Sequence, residues 1–485
     1  MRVLMLGWEF PPHISGGLGT ACHGISHGLL NAGVEVQFVV PCVYGDECTG
    51  AVELIGCNQL ASSTPAETEA ANANAPARGE ASGTLSTTAN GEARRSGPAG
   101  TLERLTVASA LSPYLTPSEY ARRRAHFAAF DGGDPARSDV GLDAELVAHW
   151  RHRFADLDAL PVPEAWQCGA AARAPGFSGR YGNDLLAEVS RYAVAVAELA
   201  RTRTFDVVHA HDWMTFPAGL LTAAVMGKPL VTHTHATEYD RSGENVNTVI
   251  RAIERHGMHH ATRVVAVSRY TAGVIQNRYE IAADKIRVVH NAVAPGPDRR
   301  RSPAADTNAA PVVLFMGRVT FQKGPDYFLA AAARVLELAP HVRFVMAGAG
   351  DMLTPMIERA AELGIARNMH FTGFLKGPDV DRMFALADVY VMPSVSEPFG
   401  IAPLEALARE VPVIVSRQSG VAEVLTNALK VDFWDVDELA NKILALLNYR
   451  PLNLQLREEG RTEVARMSWD VPGRKLRRVY EELVA

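Results

Sequence analysis

The sequence predicts an α/β protein built from two doubly wound, Rossmann-like domains, and three observations carry that prediction. Strand-like apolar runs alternate with helix-like patterns in two separate regions of the chain. The runs are continuous rather than alternating in polarity, as a parallel sheet covered on both faces requires. Between the regions lies "APGPDRRRSPAADTNAAP", residues 294–311, whose proline, charge and small polar residues suit an exposed linker.

In the first region "RVLMLG" leads through a Gly-rich turn into a helical stretch from Leu18 to Asn31, stopped at Gly33, and then "VEVQFVVP". Residues 45–180 interrupt the rhythm. Their first part, 58–100, is almost free of large apolar residues and is expected to be disordered, because it cannot offset the entropy of ordering. The rest carries helix-like patches whose arginines read as solvated faces. The rhythm resumes with "FDVVHAH", "KPLVTHTH", "TRVVAVS" and "KIRVVHNAV". The second region repeats it with "PVVLFMG", "VRFVMAG", "NMHFTGF", "DVYVMPS" and "VPVIVS". The expected division is a first domain over 1–295, a linker over 296–310, a second domain over 311–465, and a helix over 466–485 that packs back across the junction.

Composition narrows the function. The 485 residues are 47% hydrophobic and 21% charged, enough for two or three filled cores. A net charge of −6 offers no basic excess for nucleic acid or an anionic membrane, so neither is an expected partner. The five cysteines match neither a zinc ligand set nor a disulfide framework and read as reduced thiols. With no leader pattern at "MRVLMLGWEF" and no long apolar run, a cytoplasmic location is expected.

Four short stretches can carry chemistry. In "EPFGIAPLE", Pro398 biases Glu397 toward an extended backbone, Gly400 permits a tight turn, and a helix is expected to begin near Pro403. The amides of Phe399, Gly400 and Ile401 would then be free beside the Glu397 carboxylate, a setting suited to sugar hydroxyls. Glu405 falls in the first helical turn, where the positive helix end should keep it ionised as an acceptor for a ribose diol, or where it merely complements the dipole. "GRVTFQKG" places Arg318 and Lys323 after a strand, two cations able to stabilise a departing diphosphate or simply to aid solubility. "SGGLG" puts Gly16 and Gly17 between strand and helix, where amides approach an anion, although a tight turn explains the pair equally well. "HAHDW" and "THTH" place His209, His211, His233 and His235 at strand ends with metal-ligand spacing, beside Asp212. They read as ligands of a metal-dependent hydrolase, as histidines bonded to backbone, or as one histidine at the mouth of a site.

In this order, the motifs resemble the retaining glycosyltransferases of the GT-B fold, and within them the glycogen and starch synthase group. The resemblance covers both domains but not residues 45–180. It implies two domains facing each other across a cleft, and transfer of glucose from ADP-glucose or UDP-glucose to an alpha-glucan with retention. By the same resemblance Arg318 and Lys323 hold the diphosphate, Glu397 with the backbone after it holds the transferred sugar, and Glu405 holds the ribose. His211 would contact the sugar near its reacting carbon, Gly16 and Gly17 the phosphates, and Gly373 with Phe374 the base. No metal or other cofactor is implied, since the two cations take the place of a divalent ion. Ile14 stands where bacterial glycogen synthases commonly carry lysine, which leaves the donor base open, while "HATEYDRSGENVN" looks like the synthase subgroup. A transferase making a small sugar product and a catalytically silent glucan-binding protein are the alternatives.

Overall fold

The structure is a computed structural model that describes residues 1–12, 17–43, 47, 50–57, 154, 185–294 and 310–484. The tract 58–100, nearly all of the remaining insert, Ile14, Gly16 and the linker 296–309 lie outside the described residues.

Two wholly parallel sheets form the frame. The first contains β1 (Arg2–Leu6), β2 (Glu35–Val40), β3 (Glu53–Gly56), β4 (Val207–His211), β5 (Leu230–Thr234), β6 (Arg263–Ala266) and β7 (Ile286–Val288), in the order β3-β2-β1-β4-β5-β6-β7. The second contains β8 (Val312–Met316), β9 (Arg343–Ala347), β10 (Met369–Gly373), β11 (Val389–Met392), β12 (Val413–Ser416) and β13 (Leu429–Val431), in the order β10-β9-β8-β11-β12-β13. Strand order therefore reverses between β1 and β4 and again between β8 and β11, and ligands of such sheets bind outside the carboxyl ends at that reversal. The helix opened by Gly17, "HAHDW", "GRVTFQKG" and "EPFGIAPLE" lie at or after the ends of β1, β4, β8 and β11, the strands that flank the two reversals, whereas "THTH" ends β5.

Two strands escape the sequence pattern. β3 lies inside the stretch 45–180 read as an interruption, and β13 follows the last strand expected in the second region. Both are short edge strands of three or four residues, too brief to show a period.

Strands buried on both faces explain the continuous apolar runs. In β1, Val3 and Met5 pack on one side with Cys22, Ile25 and Leu29, whereas Leu4 and Leu6 pack on the other with Val189, Tyr192 and Val196. Each fully buried Val or Leu contributes about 1.5–3 kcal/mol relative to exposure.

The last helix, Asp470–Val484, leaves the second domain and packs on the first. Pro472, Gly473, Leu476, Val479 and Tyr480 form its buried stripe at helical spacing, laid against Gly17–Asn31. A Cβ at Gly28 would stand 2.1 Å from the Trp469 carbonyl oxygen, and one at Gly473 would stand 2.1 Å from the Gly28 carbonyl carbon. The two helices thus cross with backbone nearly touching. Beside them, the amide of Val293 donates to the Met467 carbonyl at 3.3 Å, so the last described segment of the first domain lies against the segment that leads into the final helix. Among the described residues no helix is long and apolar enough to cross a membrane.

Candidate active site

A cleft of about 930 Å³ lies between the carboxyl ends of the two sheets. Its second-domain wall is built by two loops that hold each other. After β8 the chain makes a single turn, Phe321–Lys323, and passes Gly324 at φ 63°, where a Cβ would come within 2.2 Å of the Pro393 carbonyl oxygen. That close approach seats the turn against the end of β11, and the Val395 amide donates to the Gln322 carbonyl at 3.0 Å. Lys323 Nζ consequently meets the Glu397 carboxylate, which also accepts from Ser394 Oγ at 3.1 Å. Glu397 is 5% exposed, its amide donating to Gln418 and its carbonyl accepting from Gly420. Arg318 lines the same wall, with its guanidinium 3.4 Å from Gln322 Oε1.

Gly400 sits at φ 96°, a turn that favours glycine, immediately before the helix Ala402–Ala408. The amides of Phe399, Gly400 and Ile401 donate to no acceptor among the described residues, and all three residues line the cleft. Glu405 lines it as well. Burial pushes its carboxyl above the ordinary range, with Asp381 adding to this and Arg409 opposing it. The helix end was expected to favour ionisation, but desolvation outweighs that dipole.

Phe374 is 51% exposed and lines the cleft, with the Lys376 ammonium 5.3 Å from its ring centroid. Gly373 is set back from the cleft lining, its carbonyl accepting from the Gly348 amide at 2.9 Å. Gly17 opens the helix Gly17–Asn31 at the cleft, and its neighbour Gly16 lies outside the described residues.

His211 is not at the surface of the cleft. It is fully buried, and His235, whose Nε2 lies 2.9 Å from His211 Nδ1, lines the cleft instead. The expected direct contact of His211 with a sugar does not fit this burial, since it is His235 that reaches the cleft lining. Sequence spacing missed this because both histidines share a sheet face and differ only in height along it.

The first-domain wall carries further groups. Asp212, at φ 60°, accepts from the amides of His235 at 2.6 Å and Ala236 at 3.3 Å. Burial raises its carboxyl to about 6, against the pull of Arg241 and of those two amides. Arg241 is held by Glu238 at 3.1 Å and by Glu254. The signal for this pair lay in "TEYDR", where Thr237 and Asp240 form a reciprocal cap over the turn that presents Glu238 and Arg241.

Hydrogen bonds join the walls. Ser396 Oγ donates to Asp240 Oδ1 at 2.5 Å and lies 2.9 Å from Tyr270 OH. The Glu423 carboxylate accepts from the amides of Arg269 at 3.0 Å and Tyr270 at 2.6 Å, and sits 3.1 Å from His290 Nε2. Replacing it leaves two helix-start amides without an acceptor. Glu423→Ala is expected to lower the unfolding free energy by about 1–3 kcal/mol, read from a urea titration.

Residues 298–463 match the family model described as Glycosyl transferases group 1, and residues 146–296 match that described as Glycosyltransferase Family 4. The D-inositol 3-phosphate glycosyltransferase of Salinispora arenicola is 30% identical over 58% of this chain and 69% of its own length. The chain belongs to the group 1 glycosyltransferases. An uncharacterized glycosyltransferase of Methanocaldococcus jannaschii is 32% identical to this transferase over 46% of the chain, and the match spans 60% of that relative's length. The glycogen synthase of Mycobacterium tuberculosis is 28% identical over 55% of the chain and 67% of its own length. In fold, the transferase is similar to sucrose-phosphate synthase from Thermosynechococcus elongatus, with TM-score 0.62, 15% identity and coverage of 99% and 98%. It is likewise similar to the Anabaena protein HepE solved with UDP-glucose, with TM-score 0.59, 14% identity and full coverage of both chains. The GT-B architecture of this group is the one the two sheets form.

Proposed function

We propose that this transferase moves glucose, with retention of configuration, from ADP-glucose or UDP-glucose to the hydroxyl of an alpha-glucan. The observation that carries the reading is the convergence of Arg318, Lys323, Glu397, Glu405 and three unengaged amides on one cleft wall. Arg318 and Lys323 neutralise the charge that grows on the diphosphate as the bond to the sugar breaks, so no divalent ion is needed there. Glu397 and the amides of Phe399, Gly400 and Ile401 take the hydroxyls of the transferred hexose, and Glu405 takes the ribose diol. Closure of the two walls excludes the water that would hydrolyse the donor. That HepE binds UDP-glucose supports a nucleotide-glucose donor.

The acceptor side supports a neutral sugar. Its charged lining residues, among those described, are Glu9, Asp212 and Glu238 against Arg241, and Arg241 is already engaged by Glu238 and Glu254. A phosphate dianion placed there would meet carboxylates rather than an available cation. Relatives named for D-inositol 3-phosphate and for glycogen make that difference worth measuring.

The test is a donor screen with ADP-, UDP- and GDP-glucose and GDP-mannose, each with maltooligosaccharide, glycogen, or a phosphorylated monosaccharide. Diphosphate release that requires glucan and lengthens it supports the reading. Release with only the phosphorylated acceptor would move the function to a small product, and no release with any donor would leave a glucan-binding protein without turnover.

A further inference from the structure

The four histidines at the carboxyl ends of β4 and β5 form a cluster in which His235 lines the cleft, while His209, His211 and His233 lie beneath it and out of reach of the transfer chemistry. Residues two apart on a strand share a face, and the parallel register sets His211 opposite His233, with His209 one layer below and His235 one layer above. His209, His211 and His233 are fully buried, with ring centroids 4.4 Å (His209–His211), 5.3 Å (His209–His233) and 5.1 Å (His211–His233) apart. A ring nitrogen from each of the three lies within 4.8 Å of the others. Burial holds all four rings below the usual histidine range, His209 and His235 down to about 3.

The hydrogen bonds select which nitrogens remain. His209 Nδ1 meets Tyr480 OH and His211 Nδ1 meets His235 Nε2, while His209 Nε2, His211 Nε2 and both nitrogens of His233 have no partner. Leaving such buried groups unpaired carries a desolvation penalty at positions where valine or leucine would fill a parallel strand without one.

We propose that His209 Nε2, His211 Nε2 and one ring nitrogen of His233 bind a divalent transition metal of the zinc class, buried beneath the floor of the cleft. Three imidazoles from two adjacent strands supply the nitrogen donors such an ion prefers, at bonds of about 2.0–2.1 Å, once the nearly parallel rings turn to aim their nitrogens at one point. Tyr480 and His235 stand behind two of the ligands and fix their orientation, as outer partners of metal-bound histidines do. Cys22 Sγ and one ring nitrogen each of His211 and His235 also lie within 4.8 Å of one another, a neighbouring group that shares His211 with the proposed site. The ion is structural: it ties β4 to β5 and, through Tyr480, to the last helix, and it stands apart from the donor phosphates.

The full chain, stripped with chelator, loaded with Zn²⁺ or Co²⁺ and gel-filtered, provides the test. The expected result is one retained ion per chain, an intense four-coordinate Co²⁺ absorption, and a Tm several degrees above that of the stripped protein. His233→Val, checked for native circular dichroism, should lose all three signals, while His370→Ala, an exposed control, keeps them. Absence of a retained ion in folded wild type, a weak octahedral Co²⁺ spectrum, or equal retention by folded His233→Val would overturn the proposal. If His233→Val does not fold, the wild-type stoichiometry and Co²⁺ spectrum decide.

Discussion

Lys323→Ala is expected to lower turnover by roughly 10²–10³-fold, the cost of removing one preorganised charge from a departing oxyanion. The fall should appear in kcat rather than in donor affinity alone, because the diphosphate gains negative charge as the sugar leaves. The substitution also strips Glu397 of its cation and leaves its carboxylate with Ser394 Oγ at 3.1 Å. Glu397→Gln is therefore expected to be similarly slow, and the double variant little worse than either single one, since the two side chains act as a unit. Single-turnover rates with saturating donor check this, with circular dichroism confirming the fold. A Lys323→Ala enzyme within a few-fold of wild type would remove Lys323 from the leaving-group role.

Gly473→Val should be the most damaging change far from the cleft. The added carbon would sit 2.1 Å from the backbone of Gly28, and neither partner is a side chain that can swing aside. Overpacking of this kind costs about 1–3 kcal/mol when side chains can adjust, and here the whole helix Asp470–Val484 must lift instead. The expected outcome is a drop in Tm of many degrees, or cleavage of the last helix by a protease that leaves wild type intact. Arg474→Val, one position on and exposed, should change Tm little. A Gly473→Val protein as stable as wild type would mean that the helices are not in contact at this point.

The frame was legible in the sequence because buried parallel strands cannot alternate in polarity, and eleven of the strands announced themselves as apolar runs. β3 and β13 were not, since a short edge strand needs no such run. The second-domain wall was also legible: Glu397 and Glu405 flank a turn whose glycine and proline are local signals, and Lys323 follows a strand by a fixed few residues. What spacing could not supply was depth. His211 and His235 look equivalent as strand-end histidines, and only the register of β4 against β5 shows that one is buried and the other faces the cleft. Likewise Glu423, 154 residues from the Arg269 amide that it accepts, carried no pattern of its own.

The bond from the Val293 amide to the Met467 carbonyl ties the last described segment of the first domain to the segment that leads into the returning helix. With that helix, Asp470–Val484, seated on Gly17–Asn31 and Ser396 bonded to Asp240 across the cleft, the two domains are held together at several separate places, so the wall that carries Lys323 and Glu397 keeps one register against the wall that carries His235 and Asp212.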